Sequence, residues 1–213
     1  MNNKIQVYSS ITGNFDKKIN HKDVIFFNQY KRFKHPKLNA KIYKVMPHLF
    51  LDSEYSVWID GNVKLNCDPS VFLNMMNGKD LLVFKQPDRN CIYEEAKTVI
   101  KLKLDEQSVV NEQIDRYLEA GWPKSAGLGS CRLIVRRHTS AMNKLNAIWW
   151  SEICRGSMRD QLSFPFVYKD KVQYIDHPDS YENEFFSVLP HHITIKEKIR
   201  FKLTGRFRKI YYE

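Results

Sequence analysis

Three short stretches carry side chains able to do chemistry. In the first, Asp60-Gly61-Asn62, a carboxylate, a glycine and an amide follow Tyr55-Ser56-Val57-Trp58-Ile59, an aromatic and β-branched run of strand length. A buried strand ending there sets oxygen ligands at the carboxyl edge of a sheet, where open α/β folds take their ligands. The same three residues also suit a plain turn. In the second, Asp160-Gln161, an acid and an amide stand just before the apolar Leu162, Phe164 and Phe166. An ionised group beside apolar surface needs a partner or a ligand. The third, Arg136-Arg137-His138, closes the strand-like run Cys131 to Val135 as a compact cationic group. It suits either neutralisation of a diphosphate or a solvated turn.

The elements that must position these groups are readable from periodicity. Lys4 to Ile11 alternates as a first strand, which places Ser9, Ser10 and Thr12 at its carboxyl end. Val24 to Phe27 gives a second short strand. Leu38 to Met46 reads as a helix bracketed by Pro36 and Pro47, with Leu38, Ile42, Val45 and Met46 on its apolar face and Lys41 and Lys44 off it. Asp68 and Pro69 open a helix that buries Val71, Phe72, Met75 and Met76 and stops at Gly78. Leu81 to Phe84 is a buried strand, and a helix begins near Cys91; on it Glu94 and Glu95 diverge by about a hundred degrees. A helix from Val109 to Ala120 precedes the loop Ser125 to Ser130, whose glycines lack phosphate-loop spacing and fit a substrate-covering segment. Ser140 caps a long helix with Met142, Leu145, Ile148, Trp149 and Ile153 inward, and Ser157 starts a short one. Val172 to Ile175 is a last strand, with His177 just beyond it.

A chain of 213 residues with 43% hydrophobic composition can bury one sizeable core. No Pro, Gly or Ser-rich linker divides it. Cys67, Cys91, Cys131 and Cys154 lie far apart without a Cys-x-x-Cys pair, so reduced thiols are expected rather than a zinc cluster or disulfide framework. No apolar stretch has the length of a signal peptide or membrane span, which leads to the expectation of a cytoplasmic or peripheral protein. The net charge of +10, from 34 Lys and Arg against 24 Asp and Glu, favours polyanions, phosphorylated ligands or acidic membrane surfaces.

Trp58-Ile59-Asp60-Gly61-Asn62, followed by Asp68-Pro69, resembles the central motif of an uncharacterised glycosyltransferase-like family with bacterial and plant Golgi members. The likeness continues in Ile11-Thr12-Gly13-Asn14-Phe15-Asp16, Lys44-Val45-Met46-Pro47-His48, Arg89-Asn90-Cys91-Ile92-Tyr93-Glu94-Glu95-Ala96 and Arg159-Asp160-Gln161-Leu162-Ser163-Phe164. It covers most of the chain up to about Tyr168. The resemblance implies an α/β, GT-A-like single domain over residues 1–190, its mostly parallel central sheet flanked by helices, with a basic aromatic tail at 191–213.

That fold implies transfer of a sugar from a nucleotide-diphosphate donor, with a UDP-sugar expected, to a glycan or lipid-linked acceptor such as a surface polysaccharide. In these terms Ser9, Ser10, Thr12, Lys41, Asp60, Asn62 and Arg136 hold the donor. Mn²⁺ or Mg²⁺, which prefer oxygen ligands shared with phosphates, is expected at Asp60 and Asn62, with His177 as a further ligand. Many GT-A enzymes carry Asp-x-Asp; Asn62 replaces the second acid and lowers the charge there. Asp160 is the expected general base if the reaction inverts the anomeric centre, and Asp160 and Gln161 orient the donor sugar if it retains it. Two rivals are a basic nucleic-acid-binding module and a GT-A-like domain that binds without catalysing. The first is disfavoured, because no nucleic-acid motif is present and the central motif is acidic. The tail, with Lys196, Lys198, Arg200, Lys202, Arg206, Arg208 and Lys209 among Phe201, Phe207, Tyr211 and Tyr212, is expected to attach to an anionic membrane or to be a solvated extension.

Overall fold

Short runs of branched and aromatic residues build the sheet, and helices with one apolar face cover it. The computed structural model describes residues 5–12, 23–176 and 181–190; His177 and the basic tail lie outside them, as does Gly13 to Asp16. In chain order the elements are β1 (Ile5–Ser10), β2 (Val24–Phe27), α1 (Pro36–Val45), β3 (Tyr55–Ile59), β4 (Val63–Leu65), α2 (Val71–Met75) and β5 (Leu81–Lys85). They continue with α3 (Ile92–Lys101), α4 (Gln107–Glu119), β6 (Gly129–Arg137), α5 (Ser140–Arg155), α6 (Asp160–Tyr168), β7 (Val172–Ile175) and β8 (Phe186–Val188).

Six strands form one sheet in the order β2-β1-β3-β6-β5-β7. β1 is parallel to β2 and β3, and β5 is parallel to β7, whereas β6 runs against both of its neighbours. This is the mostly parallel α/β domain that the motifs imply. Because successive side chains of a strand point to opposite faces, Tyr8, Trp58, Val83 and Ile134 meet α1, α5 and α6 on one side. On the other side Val7, Val57, Leu82 and Val135 meet Phe72 of α2 and a small ribbon in which β4 pairs with β8. Trp149 of α5 is fully buried and donates its indole N–H to Ser163 Oγ at 3.1 Å. Truncating such an anchor to alanine costs on the order of 3–5 kcal/mol. Among the described residues no helix is long and apolar enough to cross a membrane.

Several local expectations shift. The cap of α5 is Thr139, whose hydroxyl accepts the Met142 N–H at 3.1 Å, rather than Ser140, and Ile148 faces outward. α6 starts at Asp160 rather than at Ser157, whose hydroxyl donates to Asp105 at 2.7 Å and accepts the Arg159 N–H at 3.1 Å in the turn before the helix. α2 is only five residues long and leaves Val71 exposed. The end of the expected covering loop is strand: a Cβ at Gly129 would stand 2.8 Å from Val83 Cγ2, so glycine is what allows β6 to begin so close to β5.

Candidate active site

Asp60 leaves the carboxyl end of β3, its N–H held by the Arg132 carbonyl at 2.8 Å. Its own carbonyl closes a turn by accepting the Val63 N–H at 2.9 Å, so the plain turn and the exposed carboxylate coexist. Trp58, two residues back on the same face of the sheet, donates its indole N–H to Asp60 Oδ1 at 2.8 Å. The same oxygen accepts from Lys44 Nζ at 3.0 Å.

Lys44 belongs to α1, and only 4% of it is exposed. Helical side chains lean towards the amino end of their helix, which carries this ammonium back to the carboxyl edge of the sheet. There it lies 2.7 Å from Asp160 Oδ2, and Lys41, one turn earlier, lies 3.1 Å from the same oxygen. Lys44 aims its aligned hydrogen bond at Asp60, and its approach to Asp160 is an ion pair. Asp160 itself opens α6, where the helix dipole favours a negative charge. Burial would raise the Asp160 carboxyl, but Lys41, Lys44 and Arg159 together outweigh it and hold the group far below the carboxylate range. Burial would likewise depress the Lys44 ammonium, yet Asp160 and Asp60 keep it above its ordinary value. Lys41 gains less from Asp160 than burial, Lys44 and Arg159 take away, so its ammonium is weakened. The buried Cys131 thiol sits within reach of these charges and is pushed up, first by burial and then by Asp160.

Of the residues expected from sequence, the fold brings Lys41, Asp60 and Asp160 into one charged cluster. Gln161 stands beside it, its amide N–H on the Gly129 carbonyl at 3.2 Å and its oxygen accepting from Arg159 at 3.3 Å. Ser10 shares the face of Tyr8 and Trp58, and its buried hydroxyl has no partner. Ser9 is equally buried but points to the other face, with Val7. Thr12 donates to the Pro36 carbonyl at 2.8 Å. It borders a cleft of about 630 Å³ with Asn28, Tyr30 and Asn39, at the carboxyl ends of β1 and β2.

Two expectations are corrected. Arg136 does not join the cluster: β6 runs antiparallel, so Arg136 pairs with Ser56 near the start of β3, at the opposite edge from Asp60. Four residues of strand separate the two positions, roughly 13 Å. Its guanidinium is fully buried and donates to the Lys44 carbonyl at 3.1 Å, closing the carboxyl end of α1. Asp160 is ill suited to be a general base, since its Oδ2 already faces the ammonium groups of Lys44 at 2.7 Å and Lys41 at 3.1 Å, which favour the unprotonated carboxylate.

The implied divalent cation also fits poorly. Asp60 Oδ1 already takes two donors, and the ammonium of Lys44 stands between Asp60 and Asp160. Asn62 is only 9% exposed and is stitched to the chain after β8, its amide N–H on the Leu189 carbonyl at 2.9 Å. Among the described residues no three His, Cys, Asp or Glu side chains converge.

Sequence reasoning missed Lys44, Trp58 and Arg159. The signal for Lys44 was its spacing of three from Lys41, which sets both ammonium groups on one helical face.

The fold is a mixed α/β domain with a mostly parallel central sheet. Its family follows from the match of residues 3–192 to the TOD1/MUCI70 glycosyltransferase-like domain: the chain belongs to that family. It is 28% identical over 146 residues to a probable hexosyltransferase, MUCI70, of Arabidopsis thaliana, covering 63% of this chain and 25% of that protein. It is 29% identical over 145 residues to a protein named alkaline ceramidase TOD1 from the same plant, covering 62% of this chain and 31% of that one. The chain thus spans a quarter to a third of the length of these relatives. Among solved structures, a glycosyltransferase involved in the glycosylation of the major capsid of PBCV-1 superposes with a TM-score of 0.50 at 9% identity, over 93% of this chain and 98% of that one. At that identity the likeness concerns the fold.

Proposed function

We propose that the chain transfers a sugar from a nucleotide-diphosphate donor, a UDP-sugar in the first instance, to a glycan or lipid-linked acceptor. The observation that carries this reading is the cluster of Lys41, Lys44, Asp60 and Asp160 at the carboxyl edge of the sheet, beside the cleft bordered by Thr12, Asn28 and Tyr30. From Pro36 at the cleft to Lys44 is about 12 Å along α1, comparable to the reach of a nucleoside and its phosphates. The base and ribose occupy the cleft in this reading, and the diphosphate lies over Lys41.

Transfer breaks the bond between the anomeric carbon and the diphosphate oxygen, and the electron pair leaves with the diphosphate. The acceptor hydroxyl oxygen bonds to that carbon, and its proton passes to the departing diphosphate oxygen. The positive ammonium groups stabilise the charge that grows on the leaving oxygen, the kind of preorganised term that removing one donor shows to be worth about 10²–10³ in rate. Asp160 fixes both ammonium groups and, with Gln161, orients the sugar.

The chain serves surface polysaccharide synthesis at the inner face of a membrane in this reading, held there by the basic aromatic tail at 191–213. Each basic residue near an anionic surface contributes about 1 kcal/mol. Co-sedimentation with anionic but not neutral vesicles, lost on truncation after Pro190, tests that attachment.

The donor reading is tested by thermal unfolding with a panel of sugar nucleotides. A ligand at a hundredfold excess over its Kd adds about 2.7 kcal/mol, roughly 5–10 °C for a domain of this size. A shift with at least one sugar nucleotide, reduced in Lys41→Gln, is expected. No shift with any of them, together with release of fatty acid from ceramide, would replace transfer by the hydrolysis that the second relative's name describes.

A further inference from the structure

The GT-A resemblance calls for a divalent cation, yet the described residues have put a side chain in its place. Lys44 Nζ is 3.0 Å from Asp60 Oδ1 and 2.7 Å from Asp160 Oδ2. A bridging Mg²⁺ needs oxygens at about 2.0–2.1 Å in a near-octahedral arrangement. It has no room while an ammonium stands within hydrogen-bond distance of both carboxylates. The ammonium is not a passing surface contact, because its side chain is only 5% exposed. Its helix is fixed from behind by Arg136, which binds the Lys44 carbonyl at 3.1 Å, and Trp58 holds Asp60 Oδ1 from the side at 2.8 Å.

We propose that Lys44 is the resident cation of this site, joining Asp60 to Asp160, and that Lys41 is the diphosphate-binding group beside it, so that donor binding requires no divalent metal. This rests on the transferase reading and assigns its charge chemistry. The division of labour follows from exposure: Lys41, 17% exposed, can turn towards a ligand, whereas Lys44 is enclosed. Three cations, Lys41, Lys44 and Arg159, act on two acids, Asp60 and Asp160, which leaves the cluster one positive charge in excess. The buried Nε of Arg159 and hydroxyl of Ser10 have no protein partner, and both supply donors for phosphate or ribose oxygens. A lysine acts as a point charge towards phosphate, and unlike a metal it cannot be removed by chelation.

The test is calorimetric titration of the full chain with UDP and with inorganic pyrophosphate, each in excess EDTA and in MnCl₂. UDP is expected to bind equally well in both within a factor of about three. Lys41→Gln should weaken it about 10- to 100-fold in both, the scale of a lost charge-assisted hydrogen bond. Lys44→Met, which leaves two carboxylates facing each other, should acquire Mn²⁺ binding, read from the free-ion electron paramagnetic resonance signal. UDP binding that appears only with Mn²⁺ overturns the proposal and leaves the transferase reading standing. Pyrophosphate binding equal to that of UDP keeps the lysine site but removes the nucleotide from the reading. Absence of UDP and pyrophosphate binding under both conditions overturns both.

Discussion

Lys44 Nζ and Asp160 Oδ2 approach to 2.7 Å where water scarcely reaches either group. Taking both charges out of water costs several kcal/mol per ion, which their attraction offsets only while both are present. Asp160→Ala should therefore destabilise the fold by about 3–5 kcal/mol, and the double variant with Lys44→Met should recover part of that loss, Lys41 still lacking its acid. Urea denaturation of the two single variants and the double variant gives the coupling energy directly. Additive losses would show that the pair is not coupled.

His138 gives the fold a pH dependence. Burial, with Arg136 and His48 alongside, pushes its imidazole down to about 4, and its Nε2 lies 2.7 Å from Ser56 Oγ. The unfolded chain takes up a proton near pH 6.5 that the folded chain refuses until about pH 4. Stability linked to His138 is thus complete above that window and is lost as the pH falls through it. Discounted for the partial access of solvent, the loss is about 1–2 kcal/mol. Comparing denaturation at about pH 7 and about pH 4.5, His138→Gln should show a smaller drop than the natural chain. An equal drop in both would assign the effect to other groups.

How much of this was legible depended on how local the cause was. Tyr55 to Ile59 and Leu81 to Phe84 announce themselves as strands, and Asp60 as a strand-end acid, because composition and the following turn lie within a few residues. Lys44 was not legible as a buried group: an apolar-stripe count sets it outside, and its partner Asp160 lies on another helix far along the chain. Arg136 went to the wrong edge because the direction of β6 is fixed by pairing with β3 and β5, which no local pattern reveals. The β4–β8 ribbon was missed for the same reason, since Val63 and Val188 are neighbours only after the chain has closed.

Arg136 offers a check on that topology. Buried at the far edge of the sheet, it holds Tyr8 and the end of α1. Arg136→Met should leave UDP affinity unchanged within about twofold while altering stability. A loss of binding as large as that of Lys41→Gln, at unchanged stability, would return Arg136 to the site.

Gly129 ties packing to the site, since its carbonyl anchors Gln161 at 3.2 Å and a Cβ there would meet Val83 at 2.8 Å and Phe164 at 3.4 Å. Gly129→Ala should cost about 1–3 kcal/mol through overpacking and should lower turnover by displacing Gln161. Unaltered stability, read from urea denaturation, would mean that the β5–β6 approach is looser than the structure has it.

The most direct measurement of the central claim is the release of UDP from a panel of UDP-sugars incubated with glycan acceptors in the presence of EDTA. The account predicts release from at least one donor, with Lys41→Gln slower by about 10²–10³ and its unfolding unchanged. Release that requires added Mn²⁺, or that is untouched by Lys41→Gln, would contradict it.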